Sequence, residues 1–467
     1  MRTRIANRIW IDDPTPEIKA WAKENLEMPN PEYAKRERMG HWLGRTPKTL
    51  RLYERDGNTL VLPFGVCREI MPMLKDTPLE CDFRQDSVID YGDSDMGLYG
   101  YQETAVEKMV AAKYGILKSK PGSGKTQCGI AMIKAFRRRA LWLCHTRDLL
   151  KQSMDRALRY ISQEWIGTIT EGKVDIGAGI TFATVQTMAN LELTQYRDYW
   201  DVVIVDECHR AAASATTFTR YEKVLNHLAA RHKYGLSATP ERSDGLIRAT
   251  FALLGNIVYE VPESAIADRV MKVKVRRVDT DAAITDECLN DDGTIDYVHL
   301  IEHLTTDEKR NKLIARKIIE EKRHSCLVLS ERLDQLKAIR NMLPYEMQED
   351  SAYIDGKMTS KKAKAEREQA LEDMRSGKKK YLFSSVSLCK EGLDIPRLDR
   401  LFLASPVKFS AVVEQAVGRI QRVFPGKETP IVYDFVDTEI GYCERAYKAR
   451  KRSYRNVGAE ICEGFAE

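Results

Sequence analysis

The chain has 467 residues, 43% hydrophobic and 31% charged, which allows a substantial core and about three domains at roughly 100–200 residues each. Its 74 Lys and Arg against 69 Asp and Glu leave a formal charge of +5, so a uniformly basic coat is excluded and contact with a polyanion must come from local patches. No apolar run reaches the roughly 18 residues of a membrane span, no secretory signal pattern opens the chain, and the ten cysteines form no CxxC pair. A soluble protein of a bacterial or phage-infected cytoplasm is expected, with free thiols and without a zinc knuckle or disulfide framework.

In chain order, residues 1–95 mix strand-like and helix-like pieces dense in Pro, Trp and charge, and read as a small α+β accessory domain. Trp10, Trp21 and Trp42 lie there among Arg4, Arg8, Arg36, Arg38 and Lys48. That pattern suits either a small aromatic core or stacking on opened bases. Over 96–262, short apolar runs alternate with helical patterns: Tyr114–Leu117, Ala140–Cys144, Ile180–Ala183, Val202–Val205 and Tyr234–Leu236. Unalternated apolar runs between helices predict strands buried on both faces of a parallel sheet. Residues 263–307 are poor in such runs and read as a connector. Alternation resumes over 308–440 with Ser325–Ser330, Ala352–Ile354, Tyr381–Phe383, Leu401–Leu403 and Ile431–Tyr433. Residues 441–467 read as a basic helix and tail, with Tyr447 and Tyr454 on a face that packs on the second α/β unit. The cations opposite suit either duplex contact or solvent.

The strand ending at Leu117 runs into Ser119-Lys120-Pro121-Gly122-Ser123-Gly124-Lys125-Thr126 and then a helical pattern. Strand, Gly-rich loop and helix in that order make a phosphate cradle: Gly122, Ser123 and Gly124 turn backbone N–H groups inward, and the helix adds the positive end of its dipole. Lys125 reaches the β- and γ-phosphates and the Thr126 hydroxyl suits magnesium. Ser119 stands where the strict pattern has Gly. Val202–Val205 ends in Asp206-Glu207-Cys208-His209, which puts two acids at the carboxyl edge of the sheet. Asp206 suits the magnesium shell and Glu207 the base that orients an attacking water. Arg419 and Arg422, within Gln415–Arg422, are three apart in a helical pattern and are expected on one helix face, a cationic fork for a γ-phosphoryl group.

With these motifs placed, the sequence resembles the superfamily 2 helicases over roughly residues 97–440. Leu98-Tyr99-Gly100-Tyr101-Gln102 looks like the adenine-reading segment, with Gln102 for the base edge and Tyr101 for stacking. His145–Leu150 resembles motif Ia, Thr181–Thr187 motif Ic, Asp206–His209 motif II in its DECH form and Ser237-Ala238-Thr239-Pro240 motif III. Leu327–Ser330 resembles motif IV, Glu391–Pro396 motif V and Gln415–Arg422 motif VI. The resemblance implies two tandem RecA-like α/β domains closing over ATP and magnesium. It places Gly392 and Asp394 at the nucleotide, Arg419 and Arg422 as finger residues, and Thr146, Arg147, Thr184, Gln186, Ser384 and Lys390 at the nucleic-acid backbone. His209 would link motif II to motifs of the other lobe.

Gly235–Gly245 and the leading segment (Asn30–Tyr33, Gly40–Gly44, Leu60–Gly65) further resemble the XPB/Ssl2 group and phage branch-migration helicases of the UvsW type. That resemblance implies a monomeric, sequence-independent motor on branched DNA, working alongside recombination or replication proteins. A duplex-pumping motor of a restriction or repair assembly, an RNA helicase and a nucleotide-switched binding protein are the alternatives. Intact Glu207, Arg419 and Arg422 argue against the last, since a pure switch does not need them.

Overall fold

Runs such as Val202-Val203-Ile204-Val205 have no polar face, so their strands must lie in the middle of a layered sheet, and they do. The structure is a computed structural model; it describes residues 1–467 except 45, 76, 84–87, 213–214, 239–245, 267–269, 357, 359, 390–392, 394, 407–409 and 463–467. The chain divides into two compact units: Met1–Lys120 with Gly124–Ala265, and Ile266–Glu467 with Pro121–Ser123.

The first unit opens with Arg2–Ile5 (β1), Arg8–Asp12 (β2), Glu27–Pro29 (β3), Thr49–Arg51 (β4), Glu54–Asp56 (β5), Thr59–Pro63 (β6) and Leu79–Cys81 (β7). Five of these form a sheet in the order β5-β6-β2-β1-β7, antiparallel except for β1 with β7, while β3 and β4 pair as a separate ribbon. Here the alternation is strict: Ile9 and Ile11 point to the core, while Trp10 on the other face lies under Arg4, its cross-strand partner, at 4.3 Å.

The nucleotide-binding half follows as Gly115–Lys118 (β8), Ala140–Cys144 (β9), Ile166–Thr170 (β10), Lys173–Asp175 (β11), Ile180–Thr184 (β12), Val202–Asp206 (β13), His232–Ser237 (β14) and Ile257–Glu260 (β15). Their order is β11-β10-β12-β9-β13-β14-β8-β15, and every pairing except β10 with β11 is parallel. The two sheets do not have separate cores. Ile5, Ile9, Ile11, Leu60 and Leu62 share one cluster with Ile116, Leu141, Val203 and the 247–254 helix. Gly65 permits that join: a methyl built on it would fall 2.3 Å from Phe251 O and 2.6 Å from Ala252 O. Lys233, fully buried on β14, donates to Leu225 O at 2.8 Å and Asn7 O at 3.2 Å and lies over Phe64 at 4.9 Å, so the leading segment is part of the same folded body.

The second unit contains Lys274–Thr280 (β16), Cys326–Ser330 (β17), Ser351–Ile354 (β18), Tyr381–Ser385 (β19), Arg400–Leu403 (β20), Ile431–Asp437 (β21) and Glu460–Cys462 (β22). They form an all-parallel sheet in the order β18-β19-β17-β20-β21-β16-β22. Successive residues bury on opposite faces. Leu327, Leu329, Leu401 and Leu403 enter one cluster and Val328, Phe383, Phe402 and Phe435 the other, each fully buried side chain contributing about 1.5–3 kcal/mol.

Two expectations are corrected. Residues 274–280 are no connector: β16 pairs with β21 over seven residues inside the second sheet. The 441–467 segment is not an appended tail, because the Gly441–Asn456 helix buries Tyr447 and Tyr454 against that sheet and β22 extends it. Arg450, one of the cations of that helix, faces neither duplex nor solvent: it is buried and donates to both oxygens of Asp434 on β21 at 2.9 and 2.8 Å. Arg445, Lys448, Arg452 and Arg455 occupy the exposed face.

Candidate active site

The phosphate loop leaves β8 at the carboxyl edge of the first sheet. Ser119 N donates to Ser237 O at 2.9 Å, so the loop starts anchored to the end of β14. Gly122 (φ +81°) and Gly124 (φ +82°) both take the left-handed conformation that side chains resist, and the Lys125–Phe136 helix begins directly after them. Lys125 is buried and Thr126 lies in the helix's first turn. Gln102, buried in the first turn of the Gly100–Ala112 helix, accepts from Tyr99 N at 3.1 Å, and its Nε2 occupies the space a methyl on Gly124 would need, at 2.3 Å. Tyr101 stacks on Tyr99 with centroids 5.9 Å apart. The adenine-reading candidates thus adjoin the phosphate loop.

Asp206 is the last residue of β13, separated in the sheet from β8 by β14. Its carboxylate accepts from Glu207 N at 3.0 Å and from the Ser153 hydroxyl at 3.1 Å. Glu207 has φ +49°, a conformation that costs a non-glycine residue about 1–2 kcal/mol, and this bend turns the second acid away from the line of the strand. Burial, reinforced by the neighbouring Glu207 charge and opposed by Lys125, pushes the Asp206 carboxyl well above its ordinary range. A divalent cation would relieve that strain. Oxygen donors from Asp206 and Thr126 beside a phosphate site are the set magnesium takes, so the residues present fit both ATP and magnesium. Cys144 and Cys208 are buried, which raises both thiols and removes them as nucleophiles or ligands. Among the described residues no His, Cys, Asp and Glu group has metal-site geometry, and no helix is long and apolar enough to cross a membrane.

Ser153 went unread in the sequence, and Ser237 was read only as part of motif III. Ser153 carried a signal: it interrupts the apolar stripe Leu149, Leu150, Ala157 of the Arg147–Ala157 helix, where an aliphatic residue would otherwise pack. His209 Nδ1 lies 3.0 Å from the Ser237 hydroxyl and 3.3 Å from Glu207 Oε2. Within its own unit His209 therefore links motif II to motif III.

The backbone-contact candidates separate by burial. Thr146 caps the Arg147–Ala157 helix, accepting from Leu149 N at 3.4 Å, and exposed Arg147 pairs with Glu171. Thr184 caps the Val185–Ala189 helix through Thr187 N at 3.4 Å, while Gln186 meets His145 Nδ1 at 3.3 Å. Ser384 is a correction: it is fully buried on β19, its hydroxyl donating to Ser385 O at 3.3 Å, so it presents nothing to a phosphate. Lys390, Gly392 and Asp394 lie outside the described residues, as do Thr239 and Pro240 of motif III and residues 241–245.

Arg419 sits in the last turn of the Ser410–Ile420 helix, and its Nε is buried without a hydrogen-bond partner among the described residues. Arg422 does not share that helix face. The helix ends at Ile420, because Gln421 turns its side chain to Val457 O at 3.0 Å and its carbonyl to Met271 N at 2.8 Å, and Arg422 then bridges to Val270. The fork consists of one helical and one extended residue.

A family model described as "Type III restriction enzyme, res subunit" matches residues 95–242, and "Helicase conserved C-terminal domain" matches 308–424. The chain is 26% identical over 351 residues to "Probable helicase D10" of Escherichia phage T5, covering 73% of this chain and 72% of that one. It is 24% identical over 357 residues to "DNA 3'-5' translocase XPB2" of Sulfurisphaera tokodaii, covering 70% and 78%. The crystal structure of T4 UvsW aligns over 99% of both chains at 19% identity with a TM-score of 0.42. With two RecA-like sheets, a phosphate loop and an acid pair at one sheet edge and both helicase models matched in order, the chain belongs to the superfamily 2 helicases and is an ATP-dependent nucleic-acid helicase.

Proposed function

We propose that this helicase is a DNA translocase that acts on branched duplexes, reversing forks and migrating Holliday junctions during recombination, replication or repair. One observation carries the reading: the five-stranded leading sheet shares its core with the ATP-binding sheet through Gly65 and Lys233. A segment that grips a junction from that sheet moves as one body with the motor lobe, so each ATP cycle displaces the branch point. Similarity to an XPB2 protein named as a DNA 3'-5' translocase supports DNA over RNA.

Bound with magnesium, ATP supplies the free energy and the phosphoryl group to be transferred. Lys125 neutralises the β- and γ-phosphates, Thr126 and Asp206 hold magnesium, and Glu207 orients the attacking water. Gln102 reads the adenine edge and Tyr101 stacks on it. Gly392 and Asp394 complete the nucleotide contacts, while Arg419 and Arg422 stabilise charge developing on the γ-phosphate. Thr146, Arg147, Thr184, Gln186 and Lys390 hold phosphates of one strand without reading sequence. Protein partners from recombination or replication would direct a monomeric motor.

The test is a synthetic Holliday junction incubated with ATP and magnesium. Conversion to forked duplexes by the parent and none by Lys125→Ala is the expected result. An intact junction, with ATP hydrolysis stimulated equally by linear duplex, would instead favour a motor that pumps duplex for a restriction or repair assembly. The match to a restriction-enzyme subunit model makes that the second reading.

A further inference from the structure

The leading segment carries three tryptophans, and the structure separates them. Trp10 lies under Arg4 and Trp21 packs against the common core, so both are used by the fold. Trp42 is 86% exposed, the most exposed large apolar side chain among the described residues. It is displayed rather than stranded. Strands β3 and β4 pair through Glu27–Arg51, Met28–Leu50 and Pro29–Thr49, and residues 30–48 connect them. Buried Asn30 closes its neck: the side-chain amide donates to Pro47 O at 2.8 Å, the backbone N donates to Lys48 O at 3.0 Å, and Oδ1 accepts from Glu32 N at 3.0 Å. The Pro31–Arg38 helix leads outward, ending where His41 N donates to Arg36 O at 2.9 Å. Trp42 follows, its six-membered ring resting on Gly44, where a methyl would fall 2.9 Å away. The turn closes with Thr46 N donating to Leu43 O at 3.0 Å. The indole is thus supported on one side, with most of its surface in solvent.

Charge identifies what it meets. Residues 30–48 hold five Lys and Arg (Lys35, Arg36, Arg38, Arg45, Lys48) against Glu32 and Glu37, giving +3 in 19 residues of a chain whose total is +5. Arg36 is paired with Glu32 at 2.7 Å, while exposed Arg38 and Lys48 have no ion pair among the described residues. An exposed aromatic face on the same segment as exposed cations that have no ion pair among the described residues matches a nucleobase that has left its stack, with phosphates nearby. Met39 is the other exposed large apolar side chain of this segment, and two such side chains among cations fall short of the apolar patch a protein partner would call for.

We propose that Trp42 stacks on a base unpaired at the branch point, with Arg38 and Lys48 holding the adjacent phosphates. The proposal rests on the branched-DNA reading for its setting, but the stacking contact has its own observable.

The experiment uses the full chain and a three-way fork carrying 2-aminopurine at the branch position, alongside linear duplex and single-stranded DNA, all at one salt concentration. Stacking on Trp42 quenches the probe. Trp42→Ala should abolish the quench and weaken fork binding about tenfold, with Trp42→Phe restoring most of both. The paired variant Arg38→Ala with Lys48→Ala should flatten the salt dependence by roughly two phosphate contacts. An unchanged melting temperature for Trp42→Ala excludes misfolding. Fork preference in the parent with no change in quench or affinity in Trp42→Ala overturns the stacking proposal and leaves the branch reading intact. A parent without fork preference, whose single-strand binding and quench still depend on Trp42, overturns the branch reading and keeps the stacking. No dependence on Trp42 with any DNA removes the proposal altogether.

Discussion

His209 Nδ1 and the Ser237 hydroxyl, 3.0 Å apart, join the segment after β13 to the end of β14, and Ser237 O in turn holds the first N–H of the phosphate loop. The acid pair, motif III and the loop therefore form one connected path at the sheet edge. Removing the hydroxyl should loosen the path without emptying the site. For Ser237→Ala, ATP hydrolysis is expected to stay within about threefold of the parent, since a single neutral hydrogen bond is at stake. Strand displacement should fall about tenfold, the size of a typical coupling between sites. Parallel losses in both assays would contradict the coupling role.

The catalytic assignments separate by what each variant keeps. Lys125→Ala should lose ATPase activity. Glu207→Gln should still bind ATP, measured with a fluorescent analogue, while turnover drops by about 10²-fold or more, because only water activation is lost. Arg419→Ala should bind nucleic acid normally and lose about 10³-fold in turnover. A defect of Arg419→Ala confined to nucleic-acid binding would contradict the finger role.

Lys233 makes stability depend on pH. Burial, with Arg8 nearby adding to it, lowers its pKa from 10.5 to about 7, so between those values the unfolded chain binds a proton that the folded chain does not. Stability contributed by this site therefore rises as pH increases from about 7 toward 10. Below about 7 both states are protonated and the full cost of the buried charge is felt. The melting temperature of the parent relative to Lys233→Met should climb across that window; parallel profiles would show that the Asn7 and Leu225 carbonyls keep the ammonium charged throughout.

The buried pair of Arg450 with Asp434 ties the last helix to the second sheet. Asp434→Asn or Arg450→Met leaves a charge without its partner and should cost about 3–5 kcal/mol. Arg452→Met, on the exposed face of the same helix, should leave thermal melting unchanged. Equal effects of the two arginine substitutions would contradict the difference in their roles.

The sequence made the nucleotide site legible because its signals are local. Gly122, Gly124, Lys125 and Thr126 are contiguous, and Asp206 and Glu207 end an apolar strand. What it hid depends on partners distant in sequence. β16 reads Lys-Val-Arg-Arg-Val-Asp-Thr, and its charges mask a strand that only pairing with β21 and β22 stabilises. Arg450 has no partner nearby in the sequence, and Asp434 meets it only inside the fold. Arg422 leaves the helix because Gln421 finds Val457, 36 residues away. Ser384 looks like a phosphate-contacting hydroxyl by its place near motif V, yet the strand buries it.

Steady-state ATP hydrolysis by the full chain tests the central claim most directly, measured at one salt concentration with single-stranded DNA, linear duplex, a Holliday junction and RNA. The account predicts the greatest stimulation with the junction. Equal stimulation by linear duplex, or stimulation by RNA alone, would contradict it.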